Sequence, residues 1–277
     1  MKIYAFADEA SPLIDGQILA MKENHLDGVE IRNVDNVNVS DISDAKAREV
    51  KKKFDGAGLS VWSIGSPIGK IDIEKDSFCR HIEKFKRTLE IAEILDAKNI
   101  RLFSFFTPEE NRDDYKDEVI NRLSQFSELA KGTGITLCHE NEKGIYGDTP
   151  ERCLEIHKAL PEIKAIFDPA NYIQCGVDTS KAWEIIKPYI KYLHIKDALA
   201  DGSVVPAGKG IGNLEYILKD FKSLGGNELT IEPHLTVFEG LKELENEDNT
   251  SVVGEVYRYS SNTEAFTAAA NALREIL

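Results

Sequence analysis

The chain has 277 residues, 42% of which are hydrophobic, and it carries a formal net charge of −14 at pH 7. A chain of this length and composition can bury a large core, and α/β barrels of about this size commonly form one domain. The negative charge argues against a nucleic-acid partner, and no apolar segment approaches the roughly 18 residues of a membrane span.

Eight short apolar segments predict β-strands that alternate with amphipathic helices along the whole chain. The predicted strands are 3–7, 28–31, 60–64, 99–105, 135–139, 164–167, 192–195 and 228–232. Helical periodicity is clearest in 78–95, 118–131, 151–160 and 216–222. Eight strand–helix repeats, each of about 30 to 35 residues, match the size of a (β/α)₈ barrel. We therefore predict an α/β fold, a single (β/α)₈ TIM barrel domain over residues 1–277.

Local signals agree with the predicted helices, and a doubly wound sheet is the alternative α/β fold. Thr149 is a good helix cap and precedes Pro150 at the first helical position, and Pro188 ends the helix that begins near Ser180. A doubly wound sheet would show a reversal of strand order and often a phosphate-binding glycine turn after the first strand. The sequence has no sign of either.

One long polar and acidic segment, at about 235–260, interrupts the strand–helix alternation after the last strand. Long loops inside compact domains are usually functional or mobile. We expect either a lid over the barrel rim or a contact in a homo-oligomer. A solvated insertion without a role is the plain alternative.

The cysteine pattern and the N-terminus predict a cytoplasmic protein. The four cysteines are scattered and form no C-x-x-C pair, which is typical of a reduced compartment. Asp8 and Glu9 interrupt the first apolar stretch, so no signal peptide is predicted.

Four consecutive predicted strands end in an acidic or imidazole side chain: Glu140, Asp168, His194 and Glu232. These positions are 28, 26 and 38 residues apart, which is close to one strand–helix unit each. In a parallel barrel the C-terminal ends of the strands converge on one rim, where enzymes of this fold place their chemistry. The four side chains should therefore face a common point.

Each of these residues also has an ordinary explanation. Asp168 before a proline could form a turn, His194 could be a satisfied core histidine, and a lone glutamate at a strand end is usually solvated. Taken together, however, three carboxylates and an imidazole repel one another unless a cation compensates them. We predict one divalent metal ion, Mn²⁺, Mg²⁺, Co²⁺ or Zn²⁺, because oxygen and imidazole ligands suit all four.

Other polar residues near the predicted rim could contact a substrate. Glu30 and Arg32 share one face of their strand, so they could reach the rim or form a plain salt bridge. The lysines could bind a phosphate or hydroxyl groups, although surface lysines need no special role. The predicted substrate-binding residues are Glu30, Arg32, Lys70, Asn141, Asn171, Lys196, Lys209 and His234.

The strand-end fragments resemble the xylose isomerase-like TIM barrel superfamily, in the branch of sugar phosphate isomerases/epimerases. The resemblance rests on Glu-Asn after strand five, Asp-Pro-Ala-Asn after strand six, His-Ile-Lys-Asp after strand seven and Glu-Pro-His after strand eight, and it covers nearly the whole chain. It implies that Glu140, Asp168, His194 and Glu232 are the metal ligands. It also implies that Glu140 and Glu232 are the catalytic acid/base pair.

Two departures from the family pattern bear on the substrate. Relatives that epimerise free ketoses, and the abasic-site endonucleases, often carry a histidine where this chain has Asn171. The loop that reads Gly-Lys-Gly around Lys209 frequently reads Gly-Glu-Gly in relatives. Neither departure touches the predicted ligands.

The sequence thus predicts a metal-dependent isomerase or epimerase that acts on a small-molecule sugar or sugar phosphate. It would remove a proton from the carbon next to a carbonyl and form an enediolate that the metal stabilises. An inosose-type dehydratase is the main alternative, because loss of the same proton can expel a β-hydroxyl. An abasic-site endonuclease is disfavoured by Asn171 and the acidic charge, and a non-catalytic carbohydrate-binding barrel would not need two glutamates on one metal.

Overall fold

Eight parallel β-strands close into a barrel in a computed structural model that describes residues 1–236 and 257–277. Each strand pairs with its sequence neighbours, and β1 pairs with β8 to close the barrel. The strands are β1 Lys2–Ala5, β2 Gly28–Ile31, β3 Ser60–Ile64, β4 Asn99–Leu102, β5 Thr136–Glu140, β6 Lys164–Phe167, β7 Ile190–Ile195 and β8 Glu228–Ile231. The predicted fold class is confirmed, and predicted strand ends differ from these by at most three residues.

Helices follow the strands and surround the barrel. They are α1 Ile14–Glu23, α2 Asp44–Gly56, α3 Phe78–Leu95, α4 Lys116–Ala130, α5 Pro150–Ala159, α6 Pro169–Gln174, α7 Thr179–Ile186, α8 Leu214–Ser223 and α9 Asn262–Ile276. The α5 helix begins as its sequence predicts, because the Thr149 side chain accepts from the Arg152 N–H and Pro150 occupies the first position. In the described part of the chain, no helix has the length and apolar character needed to cross a bilayer.

Strand alternation divides the interior of the barrel into an apolar end and a charged end. Near the N-terminal ends of the strands, the rings of Tyr4 and Trp62 stack with centroids 4.9 Å apart, and Tyr192 meets Trp62 edge-on at 6.1 Å. Cys138 and Ile166 complete this buried layer. Because inward-facing residues recur every second position, the next inward residues lie toward the C-terminal rim. Those residues are predominantly charged.

The loop after β7 folds around a buried carboxylate. Both oxygens of Asp197 accept backbone N–H groups, from Ala198 and from the glycines 208, 210 and 212, at 2.9–3.0 Å. A short antiparallel hairpin, Asp197–Ala198 with Val204–Val205, leads into this loop. The predicted acidic segment at about 235–260 lies mostly outside the described residues, so its role stays a prediction.

We expect Gly210→Ala to destabilise the protein, because its Cβ would lie 2.3 Å from both the Ala198 carbonyl oxygen and Asp197 Oδ1. Overpacking of this kind costs about 1–3 kcal/mol. Gly56→Ala is the matched control, since its Cβ would meet no atom within 4 Å and alanine favours the helix. Urea unfolding of both variants checks this. Equal stability of the two variants would show that the loop does not need glycine at 210.

Candidate metal centre

The four predicted ligands meet at the C-terminal rim of the barrel. His194 Nδ1 lies 2.8 Å from Glu140 Oε1, 3.6 Å from Glu232 Oε2 and 4.0 Å from Asp168 Oδ2. One potential ligand atom from each residue lies within 4.8 Å of all the others. All four residues are between 0 and 3% exposed. The convergence predicted from strand spacing is therefore present in the structure.

The strands place each of these side chains by simple alternation. Glu140 is the last residue of β5, His194 is the last but one of β7, and Asp168 and Glu232 directly follow β6 and β8. Asp168 also serves as the turn-former that its proline suggests, because its Oδ1 accepts from the Asn171 N–H and caps α6. Its Oδ2 remains directed at the rim, 4.0 Å from His194 Nδ1, so the turn leaves one oxygen available there, and the role as a metal ligand stays a prediction.

Three buried cations compensate the carboxylates. The Lys196 ammonium lies 2.9 Å from both Asp168 Oδ2 and Glu232 Oε2. Arg101 Nη1 lies 3.1 Å from Glu140 Oε2 and 3.9 Å from Glu232 Oε1. Arg32 Nη1 lies 3.3 Å from the same Glu232 oxygen. All three cations thus lie near Glu232, while Glu140 lies between Arg101 and His194.

Arg101 is not among the site residues predicted from the sequence, although a charged residue inside a buried strand indicates a functional or paired position. It stands in the middle of the apolar strand β4, where an uncompensated charge would be costly. It shares the inward parity of Asn99 in the same strand, so it had to face the barrel interior. A buried arginine at that place requires carboxylate partners, and the rim provides them.

These contacts shift the pKa values of the four groups. Burial would raise the pKa of Glu140, but His194 and Arg101 lower it to about 2. For Glu232 burial is likewise outweighed, by Lys196, His234 and His194, and its pKa falls well below the usual range.

The other two groups move toward the protonated state. Burial raises the pKa of Asp168 to about 7 against the opposing charge of Lys196. Burial would lower the pKa of His194, but Glu140 and Glu30 raise it to about 10. In the metal-free protein His194 is therefore a cation at pH 7, and it partly compensates the carboxylates around it.

The donor set fits a divalent metal ion. Three carboxylate oxygens and one imidazole nitrogen are ligands that suit Mn²⁺, Mg²⁺, Co²⁺ or Zn²⁺. The imidazole presents Nδ1 to Glu140, Asp168 and Glu232, and its Nε2 lies 3.1 Å from Glu30 Oε2. The residues present could hold such an ion with small side-chain adjustments.

A second group of potential ligands, Glu9, Glu232 and His234, lies beside the first. His234 Nε2 is 3.4 Å from Glu9 Oε1 and 3.4 Å from Glu232 Oε1. The Arg32 guanidinium already lies 3.0 Å from Glu9 and 3.3 Å from Glu232. Because Arg32 supplies the positive charge there, we interpret this group as an ion network rather than a second metal site.

Two of the predicted substrate-binding residues hold the carboxylates in place. Asn141 Nδ2 donates to the Asp168 carbonyl oxygen, and Asn141 Oδ1 accepts from the Asp168 N–H, both at 3.0 Å. Asn171 Nδ2 donates to Glu140 Oε1 at 3.3 Å and to the Asn141 carbonyl oxygen at 2.9 Å. These bonds fix the relative positions of Glu140 and Asp168.

Glu30 contacts His194, and the other predicted substrate contacts divide into two groups. Arg32, Lys196 and His234 lie beside Glu232 at the rim. Lys70 Nζ pairs with Glu142 at 2.9 Å and lies over the ring of Phe103, and the exposed Lys209 lies 3.6 Å from Glu275 on α9. Substrate contact by any of them stays a prediction.

The model of one protein family, described as xylose isomerase-like TIM barrel, matches residues 18–249. The chain belongs to this family. Its members share the closed barrel described above, and the resemblance inferred from the strand-end fragments is confirmed. No curated protein matches the sequence significantly.

Several solved structures have the same fold as this protein. The IOLI protein, crystallised with a bound zinc atom, is 16% identical with a TM-score of 0.78, covering 100% of this chain and 98% of its own. D-psicose 3-epimerase with D-tagatose, from Clostridium cellulolyticum H10, is 14% identical (TM-score 0.74; 100% and 98% covered). The probable 3-DHS dehydratase AsbF from Bacillus anthracis is 16% identical (TM-score 0.70; 99% and 99%). At these identities the likeness shows the fold alone.

We expect metal binding to release protons near neutral pH. His194 has a pKa of about 10 in the metal-free protein, so a ligating Nδ1 must first lose its proton. Below pH 10 the apparent affinity should therefore rise with pH, about tenfold per unit for one proton. Asp168, with a pKa of about 7, adds to this release below pH 7.

Calorimetric titration with Mn²⁺ at pH 6, 7 and 8, in buffers of different ionisation enthalpy, measures this proton release. Titrations in two such buffers at each pH separate the heat of binding from the heat of buffer protonation. An affinity independent of pH, with no proton released, would contradict the protonation states given above.

Proposed function

We propose that the protein is a divalent-metal-dependent isomerase or epimerase acting on a sugar or sugar phosphate. The observation that carries the proposal is the placement of two buried glutamates, Glu140 and Glu232, on either side of His194. They come from β5 and β8, with β6 and β7 between them in the barrel. A substrate carbon at the centre would thus be approached from two directions by two carboxylates.

The residue types support proton transfer next to a carbonyl. A divalent ion held by Glu140, Asp168, His194 and Glu232 would act as a Lewis acid that polarises a substrate carbonyl and acidifies the adjacent C–H. Arg101 lies near both Glu140 and Glu232 and favours their ionised forms, so either could accept the proton. Return of a proton to the other face of the same carbon inverts the centre, and return to the neighbouring carbon gives isomerisation.

Donors around Glu232 support a hydroxyl-rich small molecule as substrate. Lys196, Arg32 and His234 surround this carboxylate at the rim, and each carries N–H groups that can bond to hydroxyl or phosphate oxygens. The net charge of −14 disfavours a nucleic acid as substrate. The sugar epimerase among the similar structures agrees with this class.

Lys196 favours a dehydratase as the second candidate. Its ammonium lies 2.9 Å from both Asp168 and Glu232, where it could donate a hydrogen bond to a departing hydroxyl group. Removal of the C–H proton by a glutamate and loss of the β-hydroxyl as water would convert a keto-polyol into an unsaturated product. The dehydratase among the similar structures shares the barrel in which this chemistry would occur.

Product analysis in deuterated water tests the proposal. We would incubate the protein with Mn²⁺ and a panel of ketoses, aldoses, their phosphate esters and inososes and follow the products by NMR. Solvent deuterium at one carbon with an inverted centre identifies an epimerase, deuterium at the neighbouring carbon identifies an isomerase, and loss of water identifies a dehydratase. Absence of any metal-dependent exchange across the panel would contradict all three.

We expect Glu140→Gln and Glu232→Gln each to lower turnover by about 10²–10⁴-fold, the usual contribution of a general acid or base. The amide keeps an oxygen ligand but cannot accept the proton, so at least one variant should still bind metal and substrate. Glu128→Gln is the matched control, because the exposed Glu128 pairs with the exposed Lys131 and not with a residue of the site. Turnover like that of the wild type in either ligand variant would remove that glutamate from proton transfer.

A further inference from the structure

A line of buried polar groups extends from His194 toward the apolar end of the barrel. Glu30 Oε2 lies 3.1 Å from His194 Nε2, and Glu30 Oε1 accepts from the Tyr192 hydroxyl at 2.9 Å. Ser63 Oγ lies 3.1 Å from the Tyr192 hydroxyl and 3.4 Å from Glu30 Oε1. Glu30, Tyr192 and Ser63 come from β2, β7 and β3, respectively. None of the sequence motifs pointed to Tyr192 or Ser63.

We propose that Glu30 is a positioning residue that fixes the tautomer and ring orientation of His194, and that Tyr192 and Ser63 hold Glu30 for this task. This inference rests on the proposed metal-dependent function. It assigns Nδ1, and not Nε2, as the metal-binding atom of His194. It also gives Glu30 a role other than the substrate contact predicted from the sequence.

The contacts of the imidazole favour a proton on Nε2. A ligating histidine is neutral and carries a single ring proton. Glu30 Oε2, 3.1 Å away, can accept a hydrogen bond from Nε2–H and so favours the proton on that nitrogen. The lone pair then resides on Nδ1, the nitrogen that faces Glu140, Asp168 and Glu232. Metal-ligating histidines commonly donate their other N–H to a carboxylate in this way.

Glu30 is completely buried. Its side chain is 0% exposed, and the imidazole and the Tyr192 hydroxyl take up one oxygen each. A carboxylate placed there is costly unless its hydrogen bonds are satisfied. Because both oxygens are engaged behind the imidazole, Glu30 has no direct path to a substrate at the rim. Its contacts are therefore those of a residue that orients His194.

The register of the barrel is irregular at these residues. Among the strand pairings of the described barrel, register shifts occur at two places. In β2–β3, Val29 pairs with Val61 but Glu30 pairs with Ser63, so one residue is extra and Ser63 comes to lie beside Glu30. In β6–β7, Ala165 pairs with Ile190 but Ile166 pairs with Tyr192.

Such irregularities are rare in parallel pairs, and they re-aim side chains near active sites. Both shifts fall on this line of polar groups, one at Glu30 and Ser63 and the other at Tyr192. The barrel therefore departs from regular pairing at the residues that orient His194.

Mn²⁺ titration of three variants by calorimetry tests the proposal without reference to turnover. We expect Glu30→Gln to weaken Mn²⁺ binding about 10–100-fold, the usual effect of removing a partner of a metal ligand. Tyr192→Phe keeps the Glu30 carboxylate and removes one hydrogen bond to it, so the Mn²⁺ affinity should fall less than tenfold. Glu142→Gln, which makes the same chemical change at a carboxylate paired with Lys70, should bind like the wild type.

The outcomes separate this inference from the proposed function. A wild-type protein that binds no Mn²⁺ would overturn both. A wild type that binds Mn²⁺, with unchanged affinity in a folded Glu30→Gln, would overturn the role of Glu30 alone.

If Glu30→Gln fails to fold, ¹⁵N NMR of the imidazole in the Zn²⁺-loaded wild type decides. A proton on Nε2 supports the assignment, and a proton on Nδ1 contradicts it.

Discussion

Charge compensation in a closed space is the constraint on which the rest of the structure depends. Glu140, Asp168 and Glu232 converge at a buried rim, and two carboxylates about 4 Å apart repel by roughly 4 kcal/mol at an effective dielectric constant of about 20. Lys196 and Arg101, together with a protonated His194, offset that repulsion in the metal-free protein. These groups are held by strands, so the compensation is built into the barrel. A divalent ion would take over part of this task when His194 gives up its proton.

The barrel makes this arrangement possible because strand alternation separates packing from chemistry. The apolar layer formed by Tyr4, Trp62 and Tyr192 closes the N-terminal end, and the charged residues occupy the next inward positions. Tyr192 belongs to both parts, since its ring packs on Trp62 while its hydroxyl bonds to Glu30. Through Glu30 the rigid layer orients His194. The imidazole is thus linked to the apolar layer through Glu30 and Tyr192.

Much of the fold and the convergence of the four candidate ligands could be predicted from the sequence, because both follow from periodicity. Apolar strands recur about every 30 residues, and a polar residue at a strand end must lie at the common rim. Contacts between distant strands could not be predicted in the same way. The bond between Glu30 and Tyr192 depends on two register shifts that leave no sequence pattern. The pairing of Lys209 with Glu275 depends on how α9 packs, and sequence spacing does not give that.

The most direct test of the account is a crystal structure of the protein soaked with Zn²⁺, with anomalous data collected at the zinc edge. We expect a strong peak among Glu140, Asp168, His194 and Glu232, with metal–ligand distances of about 2.0–2.2 Å and the imidazole bound through Nδ1. The Glu30 carboxylate should remain against Nε2. A structure with zinc bound elsewhere and none at this cluster, or with the imidazole bound through Nε2, would contradict the account.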